Sequence, residues 1–215
     1  MNRRRLSSLA VLGSLVAGSL VASVTSAFPE PSKTPVSWEL KFQHAAPRRI
    51  VVNVPGSNVP KAYWFVTYTV TNNNDENVNF LPTFEWVTKE GKVIRSDKNI
   101  PSVVFDKIKA QTGNKLLEDA FHIAGNLRQG DDQAKDGVAI WEEPEGRLGD
   151  FQLFVTGLSG ESTPLTDSAG KPVNGPQGRP LLLFKTLELD YRNAGDEVYP
   201  GNDLLQKTGQ KWVMR

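Results

Sequence analysis

The chain has 215 residues, with 25 basic and 24 acidic side chains and a formal net charge of +1. Hydrophobic residues make up 39% and charged residues 23%, a balance typical of a globular protein and unlike that of a disordered or polytopic membrane protein. The near-neutral charge argues against a nucleic-acid-binding protein, and the lack of cysteine excludes disulfides, thiol catalysis and thiolate metal sites.

Residues 1–27 have the layout of a secretory signal peptide. Arginines at positions 3–5 precede an uncharged segment from Leu6 to Val24, and small residues follow up to Ala27. Glycine and serine interrupt the apolar core, which makes it weaker than the about 20 apolar residues of a membrane anchor. We therefore expect cleavage near Ala27 and a periplasmic or extracellular mature protein. An uncleaved anchor and export by the twin-arginine route are the alternatives.

The next segment, 28–35, contains three prolines and predicts an extended linker to a single domain over residues 36–215. Alternation of apolar and polar residues predicts a strand over 36–44. The strongest strand pattern follows at 63–71, which consists almost entirely of aromatic and β-branched residues. Residues 72–75, Asn-Asn-Asn-Asp, predict a turn because these residue types tolerate left-handed backbone angles.

Strand patterns return along the rest of the chain, at residues 50–54, 80–86, 93–94, 138–141, 151–158, 181–191 and 211–214. A helical period interrupts them and predicts an insertion around residues 103–125, with a short helical turn and then a second helix starting at Asn114. The Gly/Pro/Ser-rich segment 160–180 predicts an exposed loop. About nine short strands without βαβ alternation predict a mainly β fold, a two-layer antiparallel β-sandwich of immunoglobulin-like type.

Several of these segments resemble a group of exported proteins of planctomycete-type bacteria. The resemblance covers roughly residues 60–215 and lies in the segments 63–68, 138–141, 151–158 and 185–191, with Gly-Asp-Glu at 195–197 and Trp-Val-Met-Arg at the end of the chain. It implies an exported protein and no assigned activity, so it carries over no catalytic residue.

Two histidines are the candidates for acid–base or metal chemistry. His44 ends the apolar face of the first predicted strand, where a hydrogen-bonded core or edge histidine is expected. His122 follows Glu118 by four and Asp119 by three residues, a spacing that fits either a ligand pair or a charge pair on one helix face.

Acidic residues suggest a weak calcium site between Asp132 and Glu143. Counting from Asp132, Asp136 and Glu143 stand at positions five and twelve of a calcium-binding loop, but Ala134 at position three has no side-chain oxygen. Asp131, Asp132 and Asp136 are an alternative calcium cluster outside that loop. No other cofactor is expected.

Two weak patterns suggest a hydrolase. Glu142, Glu143 and Glu145 lie together like the paired carboxylates of glycosidases, and Ser159 lies in a near match to a serine-hydrolase elbow in which Glu161 replaces the second glycine. Solvated acids and a structural loop explain the same residues.

Aromatic residues offer the clearest binding hypothesis. The strand at 63–71 is apolar on both faces, so it either lies centrally in the fold or exposes one aromatic face. In the second case Tyr63, Phe65 and Trp141 would form a flat platform for a glycan or another ligand.

The main hypothesis is an exported, non-catalytic sandwich with a structural or protein-interaction role in the cell envelope. A ligand- or glycan-binding module is the alternative, and a hydrolase is the second alternative. The expected partner is an envelope protein or a glycan. Nucleic acid is not expected as a partner, and no membrane span is expected in the mature chain.

Overall fold

The computed structural model describes residues 29–144, 148–195 and 205–215, so the predicted signal peptide lies outside the described residues. The described part of the chain is mainly β, and its strands are β1 (Lys41–His44), β2 (Arg48–Val52), β3 (Lys61–Thr71), β4 (Val78–Phe80), β5 (Thr83–Thr88), β6 (Val93–Arg95), β7 (Gly125–Leu127), β8 (Lys135–Glu142), β9 (Phe151–Thr156), β10 (Ser162–Pro164), β11 (Leu182–Asn193) and β12 (Leu205–Met214). Helices α1 (Ser102–Thr112) and α2 (Ala120–Ile123) lie between β6 and β7.

The first sheet, called sheet A, is built around β3. β1 and β2 pair in succession with one edge of β3, and β8 pairs with the other edge, all antiparallel. β1 and β2 are therefore two parts of one line of chain, interrupted at residues 45–47. The segment with the strongest β pattern thus occupies the centre of its sheet, where it is paired on both sides.

The second sheet, called sheet B, has the order β12–β11–β9–β5–β6, again antiparallel. β10 pairs with β11 beyond the end of β9, so β9 and β10 lie one after the other along the same edge of β11. β4 and β7 form a separate two-stranded ribbon. The expected mainly β fold with antiparallel sheets is therefore confirmed.

The inner faces of the two sheets share one hydrophobic core. Trp86 of sheet B lies between Trp64 and Trp141 of sheet A, with ring centroids 5.9 and 5.7 Å apart, and it stacks on Phe151 at 3.8 Å. All four rings are buried. Apolar and polar residues alternate along β5 and β9, which places Trp86 and Phe151 on the inner face of sheet B, where it packs against sheet A.

The helical insertion adds a third layer on the outer face of sheet A. Val104 and Ile108 of α1 pack with Tyr63, Phe65 and Ile140 in a second core. α1 begins after Pro101 and ends at Gly113, whose φ of 68° is the left-handed conformation that favours glycine at a helix end. β3 is therefore covered on both faces, which accounts for its uninterrupted apolar sequence.

The second predicted helix is much shorter in the structure. Only one turn, α2, is helical, and the Asp119 side chain caps it by accepting hydrogen bonds from two backbone N–H groups. The backbone N–H of Glu118 donates to the carbonyl of Asp136 in β8 at 2.8 Å, so this part of the segment follows a strand edge instead of a helix. Phe121 is 85% exposed, and Ile123 is buried.

The first predicted strand is also shorter than expected. Regular pairing starts at Lys41 and not at Val36, which is exposed. Before that point the chain crosses towards sheet B, where the N–H of Leu40 donates to the carbonyl of Leu158 at 2.8 Å. The predicted linker contacts the sandwich as well, since the N–H of Ser32 donates to Glu161 Oε1 at 2.8 Å.

Candidate functional site

The predicted aromatic platform is wrong. Tyr63, Phe65 and Trp141 are each about 1% exposed. Tyr63 and Phe65 lie beneath α1, and Trp141 lies in the core between the sheets, where its Nε1–H donates to the carbonyl of Ile94 at 3.1 Å. The sequence leaves two possibilities for a strand that is apolar on both faces, and the structure places this one at the centre of the fold.

The predicted calcium loop is not formed. Asp136 and Glu143 are separated by the length of β8, about 23 Å for seven residues of strand, so they cannot bind one ion. Both carboxylate oxygens of Asp136 accept hydrogen bonds, from Thr69 at 2.6 Å and from Asn114 at 2.7 Å. Among the described residues, no group of three His, Asp or Glu side chains is arranged to bind a metal ion.

Asp131 and Asp132 lie apart from that pair, in a single 3-10 turn over residues 131–133. The Asp132 carboxylate accepts a hydrogen bond from Gln133 at 3.0 Å, and both aspartates are exposed. The alternative calcium cluster of three aspartates is therefore not brought together either, because Asp136 already points at Thr69 and Asn114.

The histidines both have local partners. His44 stacks on Phe42 with ring centroids 5.7 Å apart, and its Nδ1 lies 2.9 Å from the carbonyl of Ala45. His122 lies at the surface with Nδ1 2.8 Å from Asp119 Oδ1, whereas Glu118 pairs with Lys135 at 3.3 Å. The three-residue spacing therefore gives a charge pair, as the alternative interpretation predicts.

The residues behind the hydrolase hypothesis are held in separate structural contacts. Glu143 accepts hydrogen bonds from Arg49 at 2.5 and 2.8 Å and from Trp64 at 3.0 Å, while Glu142 pairs with Lys61 on the surface at 2.8 Å. Glu145 lies outside the described residues. The Ser159 hydroxyl is buried and accepts a hydrogen bond from the N–H of Glu161, which fixes the loop.

A polar groove of about 570 Å³ opens on the outer face of sheet A, where α1 ends and stops covering the strands. Its walls carry the Thr67 and Thr69 hydroxyls, the Gln43 and Gln111 amides and the Asp136 carboxylate. The volume falls in the range of small-molecule sites, and Ala45, Tyr68 and Leu117 add apolar surface to the polar walls.

A buried ion cluster lies at one end of the core. Lys185, on the inward side of β11, has its Nζ 2.8 Å from Glu39 and 3.4 Å from Glu161, and 5.1 Å from the centre of the Trp212 ring. Burial alone would lower the pKa of Lys185, but the two glutamates outweigh it and raise the pKa above its ordinary value. The cluster ties the N-terminal segment to sheet B.

The hydrogen-bond register of β12 decides which of its backbone groups face outwards. Phe184 and Arg215 exchange two backbone hydrogen bonds, at 2.8 and 3.0 Å. Because bonded and non-bonded pairs alternate along antiparallel strands, Lys211 and Val213 also direct their backbone groups at β11.

The N–H and C=O groups of Gln210, Trp212 and Met214 therefore point away from sheet B. In the described parts of the chain, no backbone hydrogen bond reaches these three residues from another strand. β12, which is ten residues long, thus presents an open strand edge at Gln210 and Trp212, whereas Met214 is only 7% exposed.

The Lys207 side chain borders this open edge, with its Nζ 3.3 Å from His44 Nε2. Lys207 has no ion-pair partner among residues 29–144, 148–195 and 205–215. Burial lowers the pKa of His44, and the charge of Lys207 lowers it further. Arg48 lies on the outer face of sheet A, where its guanidinium stacks over the Phe65 ring at 5.5 Å. Lys207 therefore places a positive charge beside β12.

No protein-family model matches the chain, and no curated protein or solved structure matches it either. Within the described residues, no helix combines the length and the apolar character needed to cross a lipid bilayer. What the protein does must therefore follow from its own residues and their geometry.

Proposed function

We propose that this protein is an exported, non-catalytic β-sandwich of immunoglobulin-like arrangement, with a structural or protein-interaction role in the cell envelope. The observation that carries the proposal is the open edge of β12, where the outward-facing residues Gln210 and Trp212 offer unpaired backbone groups. A strand edge of this kind is a template for pairing with another chain.

The non-catalytic part of the proposal is supported by the contacts of the candidate reactive groups. Glu143 is bound to Arg49 and Trp64, Ser159 fixes its own loop, and His122 pairs with Asp119. A nucleophile and its base need to lie within hydrogen-bond reach of each other, and these groups are instead distributed over separate structural contacts.

The immunoglobulin-like arrangement is supported by the way the chain alternates between the sheets. It passes from β3 in sheet A to β5 in sheet B, returns to β8 in sheet A and crosses again to β9 in sheet B. Such crossings between two antiparallel sheets are typical of Greek-key sandwiches. Export is supported by the arginine, apolar and small-residue pattern of residues 1–27.

Export is tested by fusing residues 1–35 to a phosphatase that is active only outside the cytoplasm. We expect phosphatase activity from this fusion and none from a matched fusion in which Leu12 and Val16 are both replaced by Arg, because two charges abolish the apolar core. Equal activity of the two fusions, or none from either, would contradict export.

The interaction role is tested in the native envelope with the full chain, by placing a photo-crosslinking amino acid at exposed positions one at a time. We expect discrete crosslinked products from at least one surface and none from the same chain lacking residues 1–27, which stays inside the cell. Lack of products from every surface position would contradict an interaction role.

The polar groove beside α1 favours a second candidate, a ligand-binding module for a small polar molecule. Its hydroxyl and amide walls suit a polyol or sugar, which offers many hydroxyl groups and little charge. Glycan-array binding that disappears in a Thr69→Val variant, with Thr112→Val at the rim of the groove as the comparison, would support this candidate. An array without a saturable signal would dismiss it.

A further inference from the structure

We infer that the open edge of β12 binds an extended acidic segment of a partner protein as an added strand. This inference rests on the proposed interaction role and specifies both the surface and the chemistry of the partner. Three features of the molecule carry it: the backbone groups of β12, the charge beside them, and the protection of the other long edge.

The first feature is the regular spacing of the free backbone groups. Gln210, Trp212 and Met214 are two residues apart, so their N–H and C=O groups recur about every 6.8 Å along a straight edge. An extended peptide presents its own groups with the same repeat. A partner strand can therefore form a ladder at Gln210 and Trp212 without any rearrangement of sheet B, and the ladder ends before Met214, which is buried.

The second feature is the sign of the charge. β12 contains Lys207 and Lys211 and no acidic residue, and Lys207 Nζ reaches towards His44 of sheet A at 3.3 Å. Glu188 pairs with Lys211 at 3.1 Å, which leaves Lys207 as the cation of β12 without an acidic partner in the described chain. A second copy of this strand would bring the same positive charge, so an acidic segment is favoured over self-pairing.

The third feature is that the chain covers the free edge of β8, the long outer strand on the other side of sheet A. Asp97 and Ile140 exchange backbone and side-chain hydrogen bonds at 2.7 and 3.1 Å, and the N–H of Glu118 occupies the carbonyl of Asp136. β6, the other edge of sheet B, has three residues only. β12 therefore differs from β8 in that its edge is uncovered and from β6 in its length.

The experiment uses fluorescent decapeptides that alternate Thr with Glu, Gln or Lys, and measures their binding to the purified protein by fluorescence anisotropy. We expect saturable binding of the Glu peptide, weaker binding of the Gln peptide and none of the Lys peptide, with affinity falling as salt is added. Hydrogen exchange at Gln210 and Trp212 slows when the Glu peptide is bound. Equal binding of all three peptides, or none, would overturn the inference.

Variants at the edge separate strand addition from general attraction. Gln210→Pro removes an outward N–H without touching the ladder to β11, and we expect about tenfold weaker binding, whereas Gln210→Ala binds like the original chain. Lys207→Gln should weaken the Glu peptide by about two- to fivefold and reduce its salt dependence. Thermal melts verify that the variants fold, and unchanged binding by folded Gln210→Pro would overturn strand addition.

Crosslinking in the envelope distinguishes failure of this inference from failure of the proposed function. A photo-crosslinker replaces Gln206, exposed on β12, or Lys107, exposed on α1. A product at position 206 that is lost on adding Gln210→Pro supports the edge as the docking surface. Products at 107 alone overturn the edge and leave the interaction role intact, and lack of products at every surface position removes both.

Discussion

Replacing Asp97 by Asn should make the protein more stable at neutral pH. The Asp97 carboxylate is largely buried, where its Oδ1 accepts the N–H of Ile140 at 3.1 Å and its Oδ2 accepts the Ser96 hydroxyl at 2.5 Å. Burial raises its pKa to about 6, these hydrogen bonds oppose the increase, and the charge of Asp119 adds to it. Its φ of 58° is a left-handed angle that Asn tolerates as well as Asp.

The size of the effect follows from the pKa in the folded protein and the ordinary value. A pKa of about 6 in place of 3.8 corresponds to about 3 kcal/mol, and partial solvent contact reduces this to about 1–2 kcal/mol. Because the folded state binds the proton more tightly, this group destabilises the fold above pH 6. Its penalty disappears as the pH falls from about 6 to below 4.

Urea unfolding of the original chain and of Asp97→Asn at pH 8 and pH 4.5 measures the difference directly. We expect Asn to be more stable by about 1–2 kcal/mol at pH 8, and the gap to shrink at pH 4.5 as the aspartate becomes protonated. Asp106→Asn on the exposed face of α1 is the matched control and should change little at either pH. A variant that is less stable at pH 8, or a gap that does not depend on pH, would refute the reasoning.

Three further substitutions test contacts that hold the sandwich together, each measured as the free energy of unfolding in urea. Lys185→Met should destabilise by about 3 kcal/mol because it leaves the buried Glu161 and the half-buried Glu39 without their cation, and adding Glu39→Gln should recover part of that loss. Gly160→Ala should cost about 1–3 kcal/mol, since the new Cβ would lie 2.5 Å from Trp38 Nε1. Asn72→Ala should cost about 1–3 kcal/mol by leaving the buried carbonyl of Leu127 unpaired and removing the hydrogen bond to the carbonyl of Glu76. A loss below about 0.5 kcal/mol in any of these variants would contradict its stated contact.

The sequence predicts the sheet-forming segments well because their pattern depends on local alternation. β3 occupies Lys61–Thr71 against a prediction of 63–71, and β5 and β6 lie at 83–88 and 93–95 against predicted strand patterns at 80–86 and 93–94. The turn at 72–75 is predicted for the wrong reason, since none of its residues has a left-handed backbone. Asn72 is instead fully buried and donates to the carbonyls of Glu76 and Leu127.

The candidate site is much less visible in the sequence because it depends on which face or edge remains uncovered. A strand with apolar residues on both faces, such as β3, can either be covered on both faces or expose one of them. The sequence does not distinguish these cases, and α1 decides between them by packing on Tyr63 and Phe65. β12 was predicted over residues 211–214 alone, since Lys-Thr-Gly-Gln-Lys at 207–211 has no apolar alternation. Apolar and polar residues alternate only in a strand that has one buried face. Residues 207–211 are mostly exposed, so this part of β12 carries no such pattern.

β8 and β12 are the two long outer strands of the sandwich, and they differ in whether other parts of the described chain cover their free edge. At β8 the chain places a carboxylate against a backbone N–H, although burying Asp97 destabilises the fold at neutral pH. A contact that lowers stability persists in a fold when it prevents something more harmful, and an uncovered strand edge invites aggregation. β12 is longer than β8 and has no such cover in the described chain, only Lys207 and Lys211 on its sides. This difference favours a binding role for β12, because within residues 29–144, 148–195 and 205–215 the chain covers the edge of β8 and leaves that of β12 open.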